Sequence, residues 1–332
     1  MTAAPDADFE SARAEAEAAA KPERTRKQTI IAWARRVLVT VVLLGAGYQL
    51  YAQWDDVSAT LLALPWQSVV LSLGAVFVGL FLGSVVWKIV LSDVGAPVSY
   101  ADAAKFYLVG GLGKYLPGAV WAVLLSMELA KQAGVNRARS FTAGLVATGM
   151  GVVASLITGL AALPVLLGDS EHQELLWLFS LLLVGLVFLH PKLLTWLVNL
   201  VLKVLRKAPL EQRFTGKEVL KATGVAVLIY VLYGVHLWLL VNSLGSPDLG
   251  TLVLCAGTMG LSMTAGLLAF FLPSGLGARE LVITAAIATV LPSGQAVALA
   301  LVSRLMFTVA DLASAGIAAL VARLQRGKTI AS

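Results

Sequence analysis

The ionisable side chains that interrupt the long apolar stretches of this sequence are Lys88, Lys105, Lys114, Glu128, His236, Arg279, Glu280, Arg304 and Asp311. A charge at hydrocarbon depth is costly, so each such residue points to a partner, a wet cavity or a ligand. Lys114, Arg279 and Arg304 have the chemistry to surround an anionic headgroup. Glu128, Glu280 and Asp311 could hold those cations in place or carry protons. A purely structural network among Glu128, Arg279, Glu280, Arg304 and Asp311 uses the same residues, and the sequence leaves both readings open. Arg304 and Asp311 share one helix face but lie two turns apart, too far for an easy direct pair, so each is expected to pair with another segment. Glu280, placed at a helix start, suits the positive end of the dipole. Lys88 and Lys105 lie near a predicted boundary, where a lysine can snorkel to the headgroups. His236 reads as a packed, hydrogen-bonded side chain, with proton carriage the alternative.

Other chemistries lack their signatures. There is no paired His/carboxylate motif, no Gly-x-Ser-x-Gly elbow and no Walker A sequence, and His172, His190 and His236 are scattered. Neither a metal, a cofactor nor a hydrolase or transferase activity is therefore expected. The lone Cys255 sits in an apolar run, which excludes an intrachain disulfide. A net charge of +6 could suggest nucleic acid, but the basic residues flank apolar stretches. They therefore report topology and acidic lipid headgroups, and no nucleic-acid partner is expected.

Two unusual stretches must position these side chains. Gly110-Gly-Leu-Gly-Lys-Tyr-Leu-Pro-Gly-Ala-Val-Trp121 sets glycines, a lysine and a proline where an unbroken membrane helix would not place them. Pro117-Gly118 ends one helical segment and can begin another, which would direct free N–H groups and a positive dipole end beside Lys114. Lys114, Tyr115, Pro117, Gly118 and Trp121 are the candidate ligand contacts here. The alternative is a kinked helix whose Lys114 snorkels. Phe270-Phe-Leu-Pro-Ser-Gly-Leu-Gly-Ala-Arg-Glu280 repeats the device, with Ser274 able to cap the following helix and Gly275, Gly277 and Arg279 as candidates. Neither glycine run is a nucleotide fingerprint, because no strand precedes it. Paired Gly- and Pro-interrupted segments in two halves of a membrane protein point to a binding site at a repeat interface.

With 332 residues, 58% hydrophobic, 13% charged and a mean hydropathy of +0.85, the chain is an all-α polytopic membrane protein. A span needs about 20 residues. The apolar stretches run Val37–Tyr51, Trp66–Leu91, a short pair Ala103–Leu116 and Pro117–Ala133, then Phe141–Leu167, Leu175–Leu189, Val219–Leu244, a second pair Thr251–Leu272 and Pro273–Leu291, and Gln295–Val321. Asp55, Asp56, Asp169, Glu171 and Glu174 mark outer loops, whereas Lys131, Arg137, Arg139, the basic residues between Lys192 and Lys221, and Arg323, Arg326 and Lys328 mark inner ones. This gives about six spans plus two re-entrant or broken pairs in a pseudo-two-fold inverted repeat, with two full spans the alternative for the second pair. Residues 1–29 form a mobile cytoplasmic tail, 30–168 the first membrane repeat and 169–325 the second. Within the latter, 192–217 is a basic connector carrying an interfacial helix, and 326–332 is a cytoplasmic C-terminal tail. Glycines at Gly144, Gly149, Gly151, Gly257 and Gly260 are expected to serve helix packing.

Gly113-Lys-Tyr-Leu-Pro-Gly-Ala-Val-Trp121 with Glu128, and Pro273-Ser-Gly-Leu-Gly-Ala-Arg-Glu280, resemble the flippase-like membrane family named after the transmembrane domain of lysylphosphatidylglycerol synthases. The resemblance spans most of Val37–Val321. It implies movement of charged lipids or lipid-linked sugars between leaflets, with motif residues at Lys114, Pro117, Gly118, Gly275, Gly277, Arg279 and Glu280. The aminoacylating members carry a soluble transferase domain that this sequence does not contain, so synthesis of an aminoacyl lipid is not expected.

The resulting expectation is a plasma-membrane lipid translocase with cytoplasmic termini, moving a phospholipid, an aminoacyl lipid or a polyprenyl-phosphate-linked sugar. Its partners would be lipids with anionic or phosphate headgroups. The alternative is a non-transporting membrane partner of a separate lipid-modifying or glycosyltransferase enzyme. A membrane glycosyltransferase is a third, weaker reading, since the outer loops hold few acids. The sequence does not determine the oligomeric state.

Overall fold

Many of the bulkiest apolar side chains of this chain point outward. Leu71, Val78, Leu228, Val231, Leu305, Val309 and Leu312 are exposed, whereas Ser72, Ser84, Thr258, Ser262, Ser303, Asp311 and Ser314 are buried. Helices packed in lipid behave this way, because the surrounding tails are as apolar as leucine and small or hydroxyl side chains let backbones approach. The computed structural model describes residues 54–116, 120–160, 187, 190–204, 214–245, 248–269 and 272–331, all inside one unit, Ala46–Ser332. Outside the described residues lie the expected tail at 1–29, the stretch Val37–Tyr51, all of Leu175–Leu189 except Val187, and the pair Pro117 and Gly118.

In chain order the helices are α1 (Trp54–Ala63), α2 (Trp66–Asp93), α3 (Tyr100–Ala104), α4 (Val120–Gln132), α5 (Arg137–Gly159), α6 (Pro191–Val204), α7 (Gly216–Asn242), α8 (Leu249–Leu268), α9 (Ala278–Ile287) and α10 (Ser293–Ala331). No strand occurs among the described residues. The starts obey local chemistry: Ser99 accepts the Asp102 N–H at 3.1 Å and Asn136 accepts the Ala138 N–H at 2.8 Å, while Asp248 caps α8 through the Thr251 N–H. Five helices, α2, α5, α7, α8 and α10, are long and apolar enough to cross a membrane. The 14-residue α6 is too short to do so; it exposes Trp196, Leu200 and Lys203 and buries Leu194 and Val198.

The core is assembled by close crossings. Gly79 of α2 receives the Tyr233 ring of α7, Gly234 of α7 lies on the Ala256 backbone of α8, and Gly260 of α8 lies on the Ser155 carbonyl of α5. A Cβ at any of the three would overlap its neighbour. Gly260 thus packs as expected. Gly149 meets nothing, and Gly144 and Gly151 line a cavity, so these three do not serve the tight packing anticipated for them.

The two interrupted regions are not alike. After α3 the chain continues through a π-helical turn, Lys105–Val109, and a 3-10 turn, Leu112–Tyr115, then returns as α4 alongside both. Gly110 sits against Ser126 and Gly113 against the Ala122 backbone, which lets the two limbs touch. Ser126 Oγ donates to the Phe106 carbonyl at 2.9 Å. This is a hairpin of short limbs, and α4, at 13 residues, extends about 20 Å, less than a hydrocarbon core.

The second region departs from the expected pair of re-entrant limbs. Its first limb, α8, has 20 residues and is long enough to span, while its second, α9, has only 10, or about 15 Å. Two full spans are likewise excluded by the length of α9. Ser274 does not cap α9: it adopts φ 52°, and the N-cap is Gly277, at φ 87°. The expected C-terminal tail is helical through Ala331.

Candidate functional site

The two interruptions meet. The 3-10 turn Leu112–Tyr115 packs against a second 3-10 turn, Pro273–Gly275, and α10 passes the first of them. This brings Lys114, Arg279 and Asp311 from three distant parts of the sequence into one neighbourhood. Lys114 Nζ lies 2.6 Å from Asp311 Oδ2, and the same carboxylate oxygen accepts the Tyr115 hydroxyl at 2.6 Å. Asp311 is nearly buried at 8% exposure, so the ammonium and the phenol together supply what water would otherwise provide.

Arg279 is treated differently. It opens α9 at 9% exposure, with its guanidinium 5.0 Å from the Phe307 ring, and makes no ion pair or hydrogen bond among the described residues. Its Nε is buried without a partner. The room that holds the side chain is supplied by Gly266, where a Cβ would strike the Arg279 chain. Arg279 and Lys114 both line a cavity of about 190 Å³, walled by Tyr107, Tyr230, Tyr233 and Phe307. A second, larger cavity of about 350 Å³ shares Tyr107, Gly151, Tyr230 and Met263 with it. Along α5 this second lobe runs from Ser140 to Val152, which is about 18 Å of helix. The two lobes therefore adjoin, and the smaller one carries both cations.

The remaining candidates take supporting places. Arg304 binds Glu280 in an ion pair between α10 and α9, and the Gly277 N–H donates to Glu280 Oε2 at 2.7 Å. Arg304 lines neither lobe, so it holds α9 at the angle that presents Arg279. Gly275, at φ 65°, rests on the Gly266 backbone and Gly277 supplies the turn into α9, so both shape the break. Trp121 is half exposed on α4 and lines neither lobe. Glu128 does not join the cluster: it is exposed and bound to Arg137 at 2.5 Å. That hydrogen bond holds its carboxyl below the usual glutamate range. The expected pairing of Arg304 and Asp311 with other segments is observed, whereas the expected network including Glu128 is not.

The sequence model of the lysylphosphatidylglycerol synthase TM region matches residues 36–315. The chain belongs to that family. Among curated proteins no sequence matches it. With the family match and five span-length apolar helices, it is a multi-pass membrane protein. In this family member the groove also uses residues that reading by charge passed over. Tyr230 and Tyr233 are three apart on α7 and so share a face, a spacing that could have drawn attention to them. Tyr107 falls in the π-helical turn, and its hydroxyl sits over Gly83, where any side chain would displace it. His236 lies outside both lobes. Its Nδ1 pairs with Ser72 Oγ at 2.6 Å and its Nε2 with Ser303 Oγ at 2.8 Å, with Phe307 edge-on at 5.4 Å. It is a packed, hydrogen-bonded side chain joining α2, α7 and α10.

Proposed function

We propose that this protein is a lipid translocase, moving a lipid with a phosphate-bearing headgroup between leaflets, and that Arg279 is the group that receives the phosphate. The observation that carries this reading is a nearly buried arginine that makes no ion pair or hydrogen bond among the described residues and lines a cavity together with Lys114. A desolvated cation of this kind is costly unless an anion joins it, and a bidentate guanidinium matches a phosphate. The family's name refers to a lipid synthase, which agrees with a lipid occupant.

In this scheme the headgroup enters the lobe along α5, loses its water among hydroxyls, and reaches Arg279 while the acyl or prenyl chain stays in the bilayer. Lys114 adds positive potential, and its pair with Asp311 ties the first hairpin to α10. The two interruptions occupy matching places in an inverted repeat of about six spans, with cytoplasmic termini in the plasma membrane; their mutual contact supports this arrangement. The chain acts as a translocase at most, with no group-transfer chemistry of its own.

A fluorescent-lipid accessibility assay in proteoliposomes containing only this protein tests the reading. Anionic lipid should cross in the parent protein, and Arg279→Gln should stop it without loss of folded protein. Binding of lipid with no crossing would favour a non-transporting partner of a separate lipid enzyme.

A further inference from the structure

We infer that the headgroup is a phosphodiester of a neutral, hydroxyl-rich group, a glycerol or a sugar, and not an amine-bearing one. This rests on the translocase reading above and names its substrate class. The first observation is charge. Among the described residues the only cations or anions on the walls of the two lobes are Lys114 and Arg279, and no carboxylate lines either one. Asp311 lies behind Lys114, with Oδ2 already engaged by that ammonium and by the Tyr115 hydroxyl. A headgroup carrying its own ammonium would bring a third cation into this space, where the neighbouring acids Asp311 and Glu280 are already engaged by Lys114 and Arg304.

The second observation is the polar lining of the larger lobe, which is made of hydroxyls: Tyr107, Ser126, Ser140, Thr148, Tyr230 and Thr264. Ser126 donates to the Phe106 carbonyl and Thr148 to the Gly144 carbonyl, and Thr264 pairs with Ser155. Hydroxyls so engaged keep lone pairs free to accept from a ligand. Ser140, at 1% exposure, has an Oγ with no partner among the described residues. An unpaired buried hydroxyl is costly, and a polyol that both donates and accepts would satisfy it. The faces of Trp87 and the two tyrosines suit a sugar ring. They could also attract an ammonium, but the two nearby cations oppose that. Phosphate then sits at the Arg279 end and the polyol lies along α5 toward Ser140.

The test uses the full chain in proteoliposomes with five fluorescent probes: phosphatidylglycerol, a prenyl-phosphate hexose, phosphatidylethanolamine, lysylphosphatidylglycerol and phosphatidic acid. Phosphatidylglycerol or the prenyl-phosphate hexose should cross at least about tenfold faster than both amine-bearing lipids. Whichever of the two crosses identifies the lipid anchor, and either supports the inference. A smaller ratio overturns it while leaving the translocase reading in place. If no probe crosses, the translocase reading falls and this one with it. Ser140→Ala should slow the polyol lipid about three- to tenfold, the effect of one lost hydrogen bond, and leave phosphatidic acid unchanged. Equal slowing of both, or of neither, overturns the placement of the polyol beside Ser140.

Discussion

The two interruptions draw on the same residue types, glycines, a proline and a cation, yet they end in opposite electrostatic states. In the first, Lys114 is neutralised by Asp311, and Tyr115 shares the same oxygen. In the second, Arg279 lies over the Phe307 ring and makes no ion pair or hydrogen bond among the described residues. The acid adjacent to Arg279 in sequence, Glu280, turns away to Arg304 and to the Gly277 N–H. The contrast separates two uses of a buried cation. A paired one fixes architecture, here the first hairpin on α10, while an unpaired one stores attraction for an anion that arrives later.

The largest effect is therefore expected at Arg279. Arg279→Gln should lower lipid transfer by about a hundredfold or more, on the scale of losing a charged contact to a desolvated anion. The melting temperature in detergent should stay level or rise, because the substitution removes a buried charge that has no ion pair among the described residues. A large fall in thermal stability would show that Arg279 is structural and would erase the contrast between the two sites.

Lys114 should behave in the opposite sense. Lys114→Met leaves the Asp311 carboxylate nearly buried with only Tyr115 as donor, at a cost of about 1–3 kcal/mol, less than for a fully buried pair because Lys114 is 35% exposed. The ion pair thus adds a folding cost to any loss of headgroup binding at Lys114. Lys114→Met combined with Asp311→Asn should recover most of the stability, since no charge is then orphaned. Melting curves of the two single variants and the double variant read this coupling directly. If the three effects simply add, the latch carries no weight.

This divergence also marks what the sequence could reveal. The long apolar stretches, the hairpin at Lys114 and the break before Arg279 were legible, because hydropathy, proline and glycine act locally. Which cation keeps a partner was not. Asp311 reaches Tyr115 across 196 positions, and Lys114 across one more, a separation that no pattern of spacing encodes. Glu128 was misassigned for the opposite reason: its partner Arg137 lies just beyond the end of α4, and a charge near a helix end resembles a membrane-depth charge until the helix length is known. The glycines of α5 read as packing positions because close approach is their commonest use in membranes. At Gly144 and Gly151 the missing side chains instead leave room for the groove.

The glycines of the two breaks provide a further separation. Gly275→Ala places a Cβ on the Gly266 backbone in a left-handed conformation, so it should cost about 1–3 kcal/mol and disturb the approach to Arg279. Gly111→Ala, in the first break, meets nothing within 4 Å and should leave stability close to that of the parent. Equal damage from both would mean that the first break is as tightly set as the second.

The smallest effect belongs to Glu128, the acid that stands apart from the groove. Arg137 lowers its pKa, so the contribution of the pair is present above the ordinary glutamate value of 4.5 and is lost as pH falls through the lower folded-state value. In Glu128→Gln that acid-side component of the melting profile should disappear, and transfer at neutral pH should be unchanged, because both partners are exposed and screened by salt. A marked loss of transfer at neutral pH would instead tie the C-terminal end of α4 to the transport cycle. Glu128 would then have a role alongside Lys114 and Arg279 that its distance from them in this conformation does not suggest.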